Sequence, residues 1–322
     1  MLSGANPRIG VVTEAFANMP LVEVMDWLLV AAPQVTDLEI GSGGYAPTTH
    51  CDLQVLLHDN DARRRWASEI TARGLRVGAL NAWGNPLHPD GSIGPKHAAD
   101  LRDTIRLATE LAADRVVALA GCPAAAAGDH TPNFAAGGWL PYLENVYQAQ
   151  WEERVVPYWS AIADLARREN PDLKVCVELH PGTVVYNVDT FEQLGVLGDS
   201  LAANIDPSHF FWMGMDANAV VERLGDRIGH CHGKDVSFTA KHLALNGLLD
   251  RRWPKPPEQM PWNFAVVGRG KSPEWWRGFV GRLISHGRIN TIAIEHEDPF
   301  VPPQTGVPEA ASLLHSALTP PV

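Results

Sequence analysis

Short apolar runs recur along the chain, separated by longer stretches in which apolar residues return every three or four positions. The runs lie at 9–12, 35–40, 75–80, 115–120, 173–179, 201–205, 228–231 and 291–295. They are apolar nearly throughout rather than alternating, the pattern of parallel strands covered on both faces. The spacing predicts helices over 21–31, 62–73, 97–112, 146–168, 216–224, 273–286 and 307–318, with a short, weakly signalled one near 190–198. Eight strand-then-helix units in 322 residues predict a (β/α)8 barrel, read as a single domain over 1–322. A doubly wound open sheet is the alternative. It is disfavoured because no G-x-G-x-x-G or G-x-x-x-x-G-K-[ST] follows any strand, and "GSGG" at 41–44 reads as a flexible turn.

Two connections are longer than a barrel needs, 121–145 after the fourth strand and 236–271 after the seventh. Loops of that length in compact domains are usually functional or mobile. Both follow strands, so both belong to the barrel face where active sites of this fold occur. They carry Trp139, Tyr142, Trp253, Trp262 and Phe264. These aromatics would form either a small core of the loops themselves or walls for a sugar ring or an aromatic appendage.

Composition removes several classes of function. A net charge of -11 would repel a phosphate backbone, so nucleic acid is not an expected partner. No run of eighteen apolar residues and no basic-then-apolar N-terminus occurs, which leads to the expectation of a cytoplasmic protein without a membrane partner. Cys51, Cys122, Cys176 and Cys231 form no C-x-x-C pair, which fits a reducing compartment and not a cysteine zinc site.

The chemistry gathers at the ends of the last four strands. The fifth ends in "ELHPG" with Glu178 and His180, the sixth in "DPSH" with Asp206 and His209, the seventh in "HGKD" with His232, Lys234 and Asp235, and the eighth in "IEHED" with Glu295 and Glu297. One such pair could be an ordinary satisfied core pair; four on one face are harder to explain as structure. Carboxylates that close repel one another unless a cation neutralises them. Three carboxylates and one imidazole, Glu178, Asp206, His232 and Glu295, make a set suited to Mn²⁺, with Mg²⁺, Co²⁺ or Zn²⁺ as alternatives. Such an ion would acidify the C–H beside a sugar carbonyl, and the resulting enediolate could be epimerised, isomerised or lose a β-substituent. His180, two residues past Glu178 and on the same side of an extended strand, is a candidate base or oxyanion partner. Asn81, Trp83, Asn85 and His88 follow the third strand and either meet sugar hydroxyls or shape their own turn. His130 reads as a mobile surface histidine or a base brought in by the fourth loop, and Glu14 as structural.

The four motifs together resemble the xylose-isomerase-like barrels, which include sugar phosphate isomerases and epimerases, ketose 3-epimerases and inosose dehydratases. The resemblance covers nearly the whole chain. It implies metal ligation by Glu178, Asp206, His232 and Glu295, proton exchange with substrate by Glu178 and Glu295, and a substrate contact at His209. AP endonucleases share the fold, but use several zinc ions and a basic surface that this chain lacks. Ketose 3-epimerases carry a glutamate six residues after the fifth-strand ligand and an arginine six after the histidine ligand, where this chain has Val184 and Phe238. "NPLHP", "WEERVVPYW" and "ELHPGTVVYN" look more like the barrel subunits of C-glycoside deglycosidases. That likeness implies a lyase expelling the aglycone of a 3-oxo-glycoside and a small second subunit; by their places on the active face Asn81, Trp83, Lys234 and Trp262 are the expected substrate contacts, and an oligomer is expected. The alternative is an isomerase or epimerase acting on a ketose or sugar phosphate, and a non-catalytic sugar-binding barrel is a third possibility.

Overall fold

In the computed structural model the described residues are 6–136, 140–249 and 256–319. Eight parallel strands close into a barrel: β1 (Arg8–Val12), β2 (Val35–Gly41), β3 (Arg76–Ala82), β4 (Arg115–Leu119), β5 (Lys174–Glu178), β6 (Leu201–Ile205), β7 (Ile228–Gly233) and β10 (Thr291–Ile294). Their order is β1-β10-β7-β6-β5-β4-β3-β2, and helices alternate with them along the chain, so the fold is a (β/α)8 barrel. No helix among the described residues is long and apolar enough to cross a membrane.

The chain forms two compact units, residues 1–39, 70–76 and 205–322 in one and 40–69 with 77–204 in the other. In the second, β3 to β6 run in parallel register, with Val117 opposite Cys176 and Cys176 opposite Ala202. Ala79, Val117, Cys176 and Ala202 form a buried cluster of small side chains, one from each strand. Alternation then puts Glu178 on the same strand face two residues above Cys176, and Asn204 two above Ala202. In the first unit, β1 pairs with β2 and β10, and β10 with β7. Its floor is polar. Asp37, fully buried, takes Arg8 at 3.0 Å and Arg76 at 2.7 Å, and also the Thr291 hydroxyl at 2.5 Å. Only glycine fits at position 10, where a Cβ would lie 2.6 Å from the Thr291 methyl.

The helices begin where their caps dictate. Asp52, Asp216 and Ser272 accept from backbone N–H groups two or three residues on, and Asn187 with Thr190 makes a capping box. Leu21–Ala31 buries Leu21, Val24, Met25 and Leu28, the three-and-four spacing read from the sequence. Three features depart from expectation. The helix predicted over 146–168 is two helices, Pro141–Gln150 and Val156–Glu169, joined by one π-turn at Trp151–Val155. Pro157 explains the break, since it has no N–H to continue an α-ladder. Leu53–His58 and Pro207–Met213 are further short helices. The long seventh connection contains the helix Ala240–Asn246 and an antiparallel hairpin of β8 (Asp235–Phe238) with β9 (Trp262–Ala265).

Candidate metal centre

Asp206 follows β6 and caps the helix Pro207–Met213, its Oδ1 accepting from Ser208 N at 2.9 Å. That bond fixes the carboxylate so that Oδ2 meets Lys234 Nζ at 3.0 Å and His209 Nε2 at 3.3 Å. The proline at the first helical turn and the serine after it are good starters of such a turn, so "DPSH" is both a cap and a ligand placement.

His232 and Lys234 are two apart at the top of β7 and face the same way; both are buried. His232 Nδ1 lies 3.1 Å from Glu295 Oε2, and its Nε2 lies 3.0 Å from Glu39 Oε1. Lys234 Nζ lies 2.6 Å from Glu295 Oε2 and 2.8 Å from Glu297 Oε2. The electrostatics are those of a dense carboxylate cluster. Burial works against the Glu295 carboxylate, but Lys234 and His232 outweigh it and hold its pKa well below the usual range. Burial likewise opposes charge on His232, yet Glu39 and Glu295 raise its pKa well above that of a free imidazole. Glu39 is driven down to about 2: burial pushes upward, and His232 and His230 more than reverse it.

Glu178 ends β5 and is buried, with Asn204 Nδ2 at 3.4 Å from its Oε2. Asp206, His232 and Glu295 gather about Lys234, with Asp206 and Glu295 at 3.0 and 2.6 Å from its Nζ and His232 at 3.1 Å from Glu295. Two carboxylates and an imidazole beside one ammonium among the described residues, with Glu178 buried at the end of β5 as a further carboxylate, are donors that fit a hard or borderline divalent ion.

The other sequence candidates separate by location. His180 is half-buried with Nδ1 2.6 Å from the Pro181 carbonyl; that oxygen only accepts, so Nδ1 carries the proton and Nε2 is the basic nitrogen of the neutral ring. His209 packs its ring edge-on against Phe264, centroids 5.8 Å apart. Asn81 is buried in β3, and Trp83 packs against Tyr45. Asn85 ties its turn to the next loop through Leu87 N, Cys122 N and Cys122 O, and His88 accepts from Asp90 N, so both side chains serve the turn. His130 is exposed on its loop. Trp262 stacks face to face on Trp212 at 5.0 Å and gives its N–H to Leu248 O, whereas Phe264 holds its ring 4.6 Å from Lys234 Nζ. Trp139 and Trp253 lie outside the described residues.

Glu39 escaped the sequence reading. It sits in "VTDLEIG", and its signal was there: Asp37 and Glu39 two apart in an otherwise apolar strand put two acids on one face.

A family model described as xylose isomerase-like TIM barrel matches residues 39–317. The chain belongs to that family. It is 30% identical over 315 residues to the uncharacterized protein YfiH of Bacillus subtilis (strain 168), covering 97% of this chain and 99% of YfiH. Among solved structures, the probable 3-DHS dehydratase AsbF from Bacillus anthracis superposes with a TM-score of 0.65 at 13% identity, over 96% of this chain and 98% of its own. The 3-keto-D-glucoside 4-epimerase YcjR from E. coli gives 0.61 at 11% identity, over 97% and 99%. A xylose isomerase-like TIM barrel protein from Mycobacterium smegmatis, in complex with magnesium, gives 0.62 at 12% identity, over 99% and 100%. At such identities the likeness to these structures is one of fold.

Proposed function

We propose that this protein is a divalent-metal-dependent enzyme that removes the proton beside the carbonyl of a keto-sugar and then expels a β-substituent, a lyase acting on 3-oxo-glycosides. The observation that carries the reading is the gathering of Asp206, His232 and Glu295 about Lys234, to which the sequence pattern adds Glu178. Glu178, Asp206, His232 and Glu295 would hold the ion, Mn²⁺ by preference of the donor set. When bound, it supplies Lewis acidity at a substrate oxygen, making the neighbouring C–H more acidic.

The chain's own groups do the rest. Glu178 or Glu295 takes the proton, with His180 Nε2, in the loop two residues past Glu178, as a further base. Lys234, held by Asp206 and Glu295, offers an N–H to a substrate hydroxyl or to a developing oxyanion. The half-buried ring of Phe264 beside Lys234 offers an apolar wall for a sugar face or an aromatic aglycone.

One feature speaks against a phosphorylated substrate and one against a ketose 3-epimerase. Successive loop N–H groups that would make an anion nest are already spent: Asp235 Oδ2 accepts from Gly268, Gly270 and Lys271. The positions of the ketose 3-epimerase clamp hold a buried Val184 and an exposed Phe238. Isomerisation or epimerisation shares the first half-reaction and is the second reading; the fold likeness to a 3-keto-glucoside epimerase favours it.

The experiment combines metal analysis with exchange. Purified protein should carry about one divalent ion per chain, because ionisable ligands are costly to assemble empty. Incubated with a 3-oxo-glycoside in D₂O, it should wash deuterium into the carbon beside the carbonyl and release the aglycone. Exchange without release would move the isomerase reading to first place. A fully active metal-free protein would end the metal reading, and no exchange with any keto-sugar would leave a binding barrel.

A further inference from the structure

The metal reading leaves Glu39 and His230 without a role, though both are buried beside a ligand. Glu39 is placed by register: it lies opposite Val12 in the β1–β2 pair, two residues above the floor acid Asp37. Its carboxylate accepts from two imidazoles, Oε2 from His230 Nε2 at 2.6 Å and Oε1 from His232 Nε2 at 3.0 Å. A carboxylate that is ionised can only accept, so His232 keeps its proton on Nε2. Nδ1 is then the ring nitrogen turned to Glu295, 3.1 Å away.

We propose that Glu39 is a positioning residue that commits His232 to ligate through Nδ1, and that His230 holds the second oxygen of Glu39 so that the carboxylate stays turned toward the histidines. The inference rests on the metal reading and adds which nitrogen binds and what fixes it. Ligating histidines commonly give their other N–H to a carboxylate, which fixes ring orientation and makes the ligand more basic.

A second ion held by Glu39, His230 and His232 is the competing account, since their atoms also lie close together. The spacing argues against it. Two donors sharing an ion at about 2.1 Å stand about 3 Å or more apart, whereas His230 Nε2 and Glu39 Oε2 are separated by 2.6 Å, a charge-assisted hydrogen bond.

Two measurements on the full chain test the assignment. In the Zn²⁺-loaded, ¹⁵N-labelled wild type, long-range ¹H–¹⁵N spectra should show His232 with Nε2 protonated and Nδ1 bound; metal on Nε2 would overturn the proposal. Zn²⁺ titration against a competing chelator should show Glu39→Gln and Glu39→Asp weakening the dissociation constant by about 10- to 100-fold, the effect typical of such outer partners. Folded variants with wild-type affinity would overturn it as well. Should Glu39→Gln fail to fold, the wild-type spectra and Glu39→Asp decide the matter. Zn²⁺ stoichiometry above one per chain, lost in His230→Gln, would favour the second ion instead. A wild type that takes up no ion would sink the metal reading itself, a different result from an ion bound through the wrong nitrogen.

Discussion

Replacing Lys234 by methionine removes the ammonium that pairs with Asp206, Glu295 and Glu297 while keeping the volume of its stem. The structure sets the magnitude. Lys234 is 3% exposed and Asp206 is fully buried, so this pair is screened by nothing; Glu295 is 19% exposed and Glu297 48%. Breaking a buried ion pair by removing one partner costs about 3–5 kcal/mol, and the half-exposed Glu297 pair adds about 1 kcal/mol or less. Glu295 retains His232 at 3.1 Å, which places the expectation at the lower end, about 3 kcal/mol. For a chain of this size that is a fall in melting midpoint of roughly 4–5 °C. The assay is thermal unfolding followed by circular dichroism, in EDTA and again in excess Mn²⁺. In Mn²⁺ the gap between variant and wild type should narrow, because a bound ion gives the carboxylates the positive charge that the variant lacks. A variant melting within about 1 °C of wild type in EDTA, below the shift expected for one kcal/mol, would refute the idea that Lys234 holds the carboxylates together. Equal gaps with and without Mn²⁺ would refute the idea that the ion and Lys234 serve the same charges.

Glu295→Gln should keep the fold and lose turnover by about two to four orders of magnitude, as expected for a group that moves a proton; near-normal turnover with metal bound would remove Glu295 from the chemistry. Phe264→Ala should lower kcat/KM for 3-oxo-glycosides with aromatic aglycones about five-fold more than for small ketoses, since ring packing contributes about 1 kcal/mol only where a ring is present. Trp262→Ala, whose ring face is stacked on Trp212, should discriminate less, and equal losses on both substrates for Phe264→Ala would count against the aglycone wall. Burial pushes the Cys51 thiol up to about 12 and the Cys122 thiol up to about 11 and raises Cys231 as well, so at pH 8 these groups stay protonated and unreactive. A colorimetric disulfide reagent should label no cysteine in the folded protein and four in guanidinium, and fast labelling of the native state would contradict the buried placement.

The eight barrel strands were readable because each is a short apolar run, and the four strand-end motifs because charge at the end of such a run is conspicuous. Helices followed from their three-and-four spacing, and Leu21–Ala31 and Pro273–His286 coincide with the predicted spans. What the sequence hid depends on partners far along the chain. Glu39 gains its meaning from histidines 191 and 193 residues away, and two acids on one strand face mark the position without naming those partners. The hairpin of β8 and β9 was hidden for a related reason: 23 residues, 239–261, separate its strands, so no turn signal joins them. Phe264 against Lys234 could not be told from Trp262, because alternation along β9 puts both on one face, and only the packing of Trp212 against Trp262 separates their surroundings.

Asp235 stands directly after Lys234 and staples the return limb of the long connection through Gly268, Gly270 and Lys271, with the Trp276 indole N–H as a fourth donor to the same oxygen at 3.1 Å. Whatever happens between Val236 and Ala265, the chain leaves and rejoins the barrel at one pinned point. Closing a longer excursion costs little once its ends are held, about 0.6 kcal/mol for each doubling of length. Evolution can therefore lengthen, shorten or exchange this segment without touching the three residues before it. A lineage built on this barrel can diversify what it admits by redrafting one tethered insert, while His232 and Lys234, on the fixed side of the staple, stay as they are.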